Sequence, residues 1–198
     1  MTKETELSPD RNRRIENIRK GREKREKKTC IFSASMTRSV RRKQFNERLN
    51  VGTAQFYQFK GHTAKDITTR YMGSHIEDDN PTDVVFVAGG NDIPNKTTSP
   101  KTLDKIAGYL IDAAKKCVDF YGVERVFISS ILPRADAYFQ LNRRHVNRVL
   151  LEECGNHGFI YIDHPNVIAK HHCDTDGVHL ETQGTRLFTR NILDALNG

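Results

Sequence analysis

The chain has 198 residues, 36% hydrophobic and 29% charged, with a formal net charge of +7. This size and composition suit one globular domain with a polar appendage. No hydrophobic run is long enough for a transmembrane segment, and the N-terminus lacks the apolar core of a secretory signal. We therefore expect a cytoplasmic location, with the nucleus as the alternative, and reduced cysteines.

The basic excess is concentrated in the first segment of the chain. Residues 1–29 hold eleven Lys and Arg against six Asp and Glu, and within residues 11–28 only Ile15 and Ile18 are large and hydrophobic. Such a segment cannot offset its ordering entropy by packing, so residues 1–28 are predicted to form a disordered or helical arm. Its side chains are candidates for binding nucleic-acid phosphates, with a solvated linker as an equal alternative. These candidates are Arg11, Arg13, Arg14, Arg19, Lys20, Arg22, Lys24, Arg25, Lys27 and Lys28.

From residue 29 onward, predicted strands and helices alternate. Apolar or alternating runs predict strands over residues 29–32, 54–59, 83–88, 125–129 and 159–162. Helical spacing of hydrophobic residues predicts helices over residues 38–49, 63–76, 100–121, 137–154 and 181–196, with a polar loop over 163–180. This order predicts an α/β fold over residues 29–198, a three-layer α/β/α sandwich around a five-stranded parallel sheet.

Small and polar residues follow several of these strands. The turn Ser33-Ala34-Ser35 ends the first strand, Gly61 follows the second, Asn91 follows the third, and Asp176 and His179 lie in the loop after the fifth. Because the carboxyl ends of parallel strands meet at one edge of a sheet, we expect these groups to converge there. Each group alone has a simpler interpretation, such as a helix cap for the serine turn or a strand-ending turn for Asn91.

Together, the groups match what acyl transfer requires. Ser35 is the candidate nucleophile, and His179 is the candidate base that takes its proton. Asp176 is the candidate partner that holds the imidazole in the required tautomer. The tetrahedral intermediate needs preorganised donors, for which the backbone N–H groups of Ser35 and Gly61 and the Asn91 side-chain amide are candidates.

These four blocks resemble those of the SGNH (GDSL-type) hydrolases, which are named for a Ser, a Gly, an Asn and a His in separate blocks. The blocks stand here at Ser35, Gly61, Asn91 and Asp176-Gly177-Val178-His179. The resemblance implies a flavodoxin-like sheet of strand order 2-1-3-4-5 and a serine esterase. It also implies that the enzyme hydrolyses acetyl or short acyl esters of a small molecule or lipid, without metal or other cofactor.

The first block departs from the family pattern. The usual Gly-Asp-Ser reads Ser33-Ala34-Ser35 here, so Ala34 replaces the aspartate that braces the turn. Ser33 thereby becomes a rival nucleophile. The alternative function is a catalytically weak or inactive domain that binds RNA or DNA.

A narrower resemblance is to the esterase-like domain in first-open-reading-frame proteins of non-LTR retrotransposons. Leu132-Pro133-Arg134, Asn147-Arg148, and Gly184 after the Asp176 motif carry this resemblance, together with the basic arm. It implies a nucleic-acid partner for the arm.

Two further side chains are candidates for substrate binding. Arg134 could bind a carboxylate or phosphate, and His62 stands next to Gly61. The run His171-His172-Cys173-Asp174 suggests a metal site only weakly, because adjacent residues cannot all face one ion. We therefore predict no metal, and the sequence does not define the oligomeric state.

Overall fold

The computed structural model describes residues 26–198, and a five-stranded sheet forms its centre. The strands are β1 (Lys28–Ser33), β2 (Thr53–Gln58), β3 (Asp83–Val87), β4 (Arg125–Ser129) and β5 (Ile160–Ile162). Their order is β2-β1-β3-β4-β5, and every neighbouring pair is parallel. The predicted fold class and strand order are confirmed.

Helices cover both faces of this sheet. They are α1 (Arg42–Asn46), α2 (Ala64–Asp66), a π-helical segment (Ile67–Tyr71), α3 (Met72–Asp79), α4 (Pro100–Asp119), α5 (Ala137–His157), α6 (Ala169–His172) and α7 (Thr182–Asn197). Side chains of β1 alternate between the two layers, because successive strand residues point to opposite faces. Cys30 and Phe32 pack with α2 through α5, whereas Ile31 packs with α1 and α7. Within residues 26–198, no helix is both long and apolar enough to span a bilayer.

Two segments differ from the sequence prediction. The helix expected over residues 38–49 is short, because Asn46 turns to bind the backbone of β2. Its Oδ1 accepts from the Ala54 N–H at 2.6 Å, and its Nδ2 donates to the Ala54 carbonyl at 3.2 Å. The loop expected over residues 163–180 contains α6 and an antiparallel bridge between Cys173 and Leu180. The first difference involves the amino end of β2, and the second lies in the loop that carries Asp176 and His179.

Most of the predicted basic arm, from Arg11 to Arg25, lies outside the described residues. Lys28 belongs to β1, one residue before the predicted start of the domain, and it is ion-paired with Asp79. The carbonyl of Lys27 accepts from the Thr53 N–H at 3.1 Å. The charge of Lys28 is therefore already paired at the amino-terminal edge of the sheet, and its contact with phosphate stays a prediction.

Candidate active site

The serine turn after β1 presents one of its two serines to the carboxyl edge. Ser33 is fully buried, and its hydroxyl is bonded to that of Thr37. Ala34 packs into the core, and its N–H donates to the Val87 carbonyl at 3.3 Å. Ser35 is half-buried at the end of the turn. Ser33 is thus a structural residue, and Ser35 is the hydroxyl available to a substrate.

Ser35, His179 and Asp176 form a continuous hydrogen-bonded chain. His179 Nε2 lies 3.0 Å from Ser35 Oγ, although 144 positions separate the two residues in the sequence. On the other side of the ring, His179 Nδ1 lies 2.6 Å from Asp176 Oδ2. The three candidate catalytic side chains therefore meet in the order that proton transfer from a serine hydroxyl requires.

The loop that carries Asp176 is shaped to hold its carboxylate. Asp176 Oδ1 accepts from the backbone N–H groups of Val178 and His179, each at 2.9 Å. The hydrogen bond from the His179 side chain, followed by these backbone bonds, holds the pKa of Asp176 well below its usual range. Gly177 lies between Asp176 and Val178 with a φ of +66°, and a Cβ at this position would come within 2.9 Å of Ala135 Cβ. Glycine is therefore required for this turn.

Asn91 and Gly61 come together as neighbours in the structure. Asn91 Nδ2 donates to the carbonyl of His62 at 3.1 Å, so the side chain is anchored to the loop after β2. Gly61 has a φ of +79°, a conformation that favours glycine, and it is exposed. Asp92 ties the same two loops together, because its Oδ2 accepts from the Ala64 N–H at 2.7 Å. These contacts fix the two candidate oxyanion donors relative to each other.

A small cavity lies beside Ser35. Its volume is about 20 Å³, and Asn91 and Arg134 line it together with Ala34, Ala88 and Ile131. The backbone of Ile131 is held on both sides by side chains of α5. Asn147 Oδ1 accepts from the Ile131 N–H at 2.8 Å, and Arg143 Nη1 donates to its carbonyl at 2.9 Å. The sequence interpretation missed this apolar wall. The sequence indicates it only by the positions of Ala88 and Ile131, which lie just after β3 and β4.

The two candidate substrate-binding residues occupy different places. Arg134 lines the cavity and donates through Nη2 to Asn91 Oδ1 at 3.1 Å. The His62 ring packs against Tyr71, with ring centres 5.0 Å apart, and only its backbone carbonyl contacts Asn91. Arg134 is therefore placed to contact a substrate, whereas the His62 side chain lies away from the cavity wall.

The run of residues 171–174 is engaged within the fold. His172 Nδ1 accepts from the Ile168 N–H at 2.9 Å, and Cys173 Sγ donates to the Pro133 carbonyl at 3.5 Å. Among residues 26–198, no group of three or more His, Cys, Asp or Glu side chains is arranged to hold a metal ion.

Comparisons with known proteins identify the architecture. No protein-family model and no curated protein matches the chain. Among solved structures, the lipase/acylhydrolase from Enterococcus faecalis matches with a TM-score of 0.69 at 18% identity, covering 87% of this chain and 96% of that one. TesA matches with a TM-score of 0.71 at 15% identity, and the match covers 86% of this chain and 98% of TesA. An acetylxylan esterase from Geobacillus stearothermophilus matches with a TM-score of 0.69 at 15% identity, covering 87% and 94%.

The chain has the SGNH-hydrolase fold. At these identities the likeness establishes the fold alone, so the roles of Ser35, His179 and Asp176 have to be argued from their own contacts. In this chain the four sequence blocks follow β1, β2, β3 and β5. Hydrogen bonds join Ser35 to His179 and Asn91 to the loop after β2. The narrower resemblance to retrotransposon proteins stays a prediction.

Proposed function

We propose that this chain is a serine esterase that hydrolyses carboxylic esters through an acyl-enzyme on Ser35. The observation that carries the proposal is the unbroken chain from Ser35 Oγ to His179 Nε2 at 3.0 Å and from His179 Nδ1 to Asp176 Oδ2 at 2.6 Å. An ionised Asp176 accepts a hydrogen bond from Nδ1–H and keeps the proton on that nitrogen, so Nε2 carries the free lone pair that faces the serine hydroxyl.

In the proposed reaction, Ser35 Oγ attacks the carbonyl carbon of the ester while its proton passes to His179 Nε2. The carbonyl oxygen becomes an oxyanion, which accepts hydrogen bonds from the Ser35 N–H, the Gly61 N–H and the Asn91 amide. Collapse of this intermediate breaks the bond to the alcohol, which leaves with the proton from His179. Water, deprotonated by the same imidazole, then releases the acid and restores Ser35.

The cavity beside Ser35 supports a short acyl group. A volume of about 20 Å³ is enough for roughly one water molecule or a methyl-sized group, and Ala34, Ala88 and Ile131 make its wall apolar. Acetyl esters fit this space. A longer acyl chain would extend beyond this space, because the Ile131 backbone is bound on both sides and fixes the wall.

The test is hydrolysis of p-nitrophenyl esters by the purified chain. We expect the acetate to be cleaved faster than the octanoate, and Ser35→Ala to reduce acetate turnover by a factor of about 1,000 or more. The matched variant Ser33→Ala removes the buried hydroxyl in the same turn and tests the rival nucleophile. Full activity in Ser35→Ala would refute the proposed function.

A second candidate function, binding of RNA or DNA, is favoured by one feature of the folded domain. Residues 38–48 contain five basic residues and one acidic residue, whereas the rest of residues 29–198 contains sixteen basic and eighteen acidic residues. This segment and α7 border a groove of about 700 Å³. Four arginines line it and form no ion pair within the described residues, namely Arg38, Arg41, Arg48 and Arg186.

Arginine side chains bind phosphate groups in a fork geometry, and Thr182 in the same groove offers a hydroxyl donor. Glu47, Asp174 and Glu181 also line the groove, so the phosphates would lie on the arginine side. We expect Arg41→Gln with Arg48→Gln to weaken binding of a labelled single-stranded RNA and to lower its salt slope by about 1.4. Arg190→Gln on α7 is the matched control, because Arg190 is paired with Asp194. Equal binding by all three proteins would exclude the groove.

A further inference from the structure

Arg134 is held firmly in the loop between β4 and α5. Its guanidinium carbon lies 4.5 Å from the centre of the Phe139 ring, and its carbonyl accepts from Gln140 Nε2 at 2.5 Å. The N–H of Ala135 donates to the Gly177 carbonyl at 2.9 Å. The last contact joins this loop to the segment that carries Asp176 and His179, so the guanidinium has a fixed place at the cavity.

The contact between Arg134 and Asn91 determines how the Asn91 amide is turned. Arg134 Nη2 donates to Asn91 Oδ1 at 3.1 Å, and Asn91 Nδ2 donates to the His62 carbonyl at 3.1 Å. A guanidinium can only donate and a carbonyl can only accept, so the opposite amide orientation would break both hydrogen bonds. The amide nitrogen has two hydrogens, and the bond to His62 uses one of them. The other is left for a ligand in the cavity.

The surroundings keep the guanidinium next to Asn91 as a charged group. A Cβ at position 90 would lie 3.0 Å from Arg134 Nη2, so Gly90 leaves the space that the guanidinium needs. Burial lowers the pKa of Arg134, and the nearby Cys173 and Asp176 act in the opposite direction. Arginine nevertheless stays protonated in proteins. The guanidinium therefore stays a hydrogen-bond donor to Asn91 Oδ1.

We propose that Arg134 is a positioning residue for ester hydrolysis, which holds the Asn91 amide by its oxygen so that the free N–H points at the developing oxyanion. This inference rests on the proposed esterase function and goes beyond substrate binding, the role that the sequence suggested for Arg134. The same hydrogen bond polarises the amide and strengthens its N–H as a donor. The effect belongs to the transition state, since the ester carbonyl carries its full negative charge only there.

A double-mutant cycle on Arg134 and Asn91 tests the proposal with p-nitrophenyl acetate. We expect Arg134→Met to lower kcat by about 10- to 100-fold with KM within about 2-fold, and Arg134→Lys to recover part of the loss. In the Asn91→Ala background, Arg134→Met should lower kcat by less than about 3-fold, because Arg134 acts only by holding the Asn91 amide. Equal costs in both backgrounds would overturn the proposal. A rise in KM confined to anionic esters would overturn it too, because Arg134 would then bind substrate directly.

A second measurement follows the amide without turnover. In ¹⁵N-labelled Ser35→Ala protein, the Asn91 side-chain amide should give two proton signals, and Arg134→Met in that background should shift them, because the variant removes the hydrogen bond to Asn91 Oδ1. Unchanged signals would contradict the proposed role of Arg134. Absence of esterase activity in the unmodified chain would instead refute the proposed function, so the two failures are distinguishable.

Discussion

Two serine–histidine pairs lie at the carboxyl edge of the same sheet, and they differ in the group behind the histidine. In the first, Ser35 Oγ is 3.0 Å from His179 Nε2, and the carboxylate of Asp176 lies behind the ring. In the second, Ser129 Oγ is 2.9 Å from His164 Nε2. Behind that ring stands the Asn191 amide, whose Nδ2 lies 3.0 Å from His164 Nδ1. A short serine–histidine distance is therefore common to both pairs.

The group that contacts Nδ1 determines which ring nitrogen carries the proton, and the result is opposite in the two histidines. Asp176 can only accept, so His179 carries its proton on Nδ1 and offers a basic Nε2 to Ser35. Asn191 donates to His164 Nδ1, so His164 carries its proton on Nε2 and donates to Ser129. Ser129 in turn donates to the Ser130 carbonyl at 3.0 Å. Only the Ser35 pair can move a proton from serine to histidine.

Solvent access separates the pairs further. His164 is 5% exposed, and its ring lies 5.0 Å from that of Phe188. Burial lowers the pKa of His164 from 6.5 to about 4. The His179 side chain, beside Ser35, is 21% exposed. The hydroxyl-to-imidazole distances of the two pairs differ by only 0.1 Å. A candidate nucleophile is therefore recognised by the group that contacts the other side of the histidine ring and by its access to solvent.

The largest expected effect comes from removing the carboxylate that distinguishes the Ser35 pair. Asp176→Asn should lower kcat for p-nitrophenyl acetate by about 100- to 10,000-fold, because an amide that donates to Nδ1 would put the proton on Nε2. Steady-state kinetics with the unmodified chain as reference measure this. Asp174→Asn changes a nearby acidic residue outside the relay and should stay within about 3-fold. A loss of less than 3-fold in Asp176→Asn would contradict the tautomer argument.

The next effect concerns stability at acidic pH. The pKa of His164 is lower in the folded state than in the unfolded state. As the pH falls, the unfolded chain therefore takes up the His164 proton before the folded chain does. The stability present above pH 6.5 is lost as the pH falls toward 4. His164 alone should contribute a loss of about 3 kcal/mol across this range. Urea unfolding of the unmodified chain and of His164→Gln at pH 7, 5.5 and 4 isolates this contribution. A difference between the two proteins that stays constant with pH would argue against a neutral buried His164.

The smallest effect is expected from removing the buried hydroxyl. Ser129→Ala leaves the His164 Nε2–H without its acceptor, which should lower the free energy of unfolding by about 1–3 kcal/mol. Esterase activity should change by less than about 2-fold, since Ser129 is outside the reaction. Chemical denaturation and p-nitrophenyl acetate turnover check the two parts. Loss of turnover with unchanged stability would reverse the roles assigned to the two pairs.

The sequence predicted the sheet and the Ser35 pair for the same physical reason. Buried parallel strands read as short apolar runs, and Ser35, Asn91 and His179 stand just after or between such runs. The strand bounds follow from burial, as in β4, whose predicted range of 125–129 matches the structure. Polar groups that follow different parallel strands converge, because the carboxyl ends of these strands lie at the same edge of the sheet.

Contacts made by side chains at unrelated spacings could not be predicted. Ser129, His164 and Asn191 form a cluster without any motif, and the hydrogen bond from Arg134 to Asn91 joins two loops 43 residues apart. The short α1 depends on Asn46 binding the backbone of β2, a tertiary contact that overrides a local helical pattern. Such contacts depend on how loops pack, which hydrophobic periodicity does not report.

The most direct test is labelling with a serine-reactive fluorophosphonate, followed by peptide mapping. This probe reacts with a serine whose hydroxyl is activated by a neighbouring base and reachable from solvent. We expect a single labelled site at Ser35, abolished in His179→Ala, with Ser33 and Ser129 unlabelled. Labelling at either of those two serines, or labelling at Ser35 that persists without His179, would contradict the account.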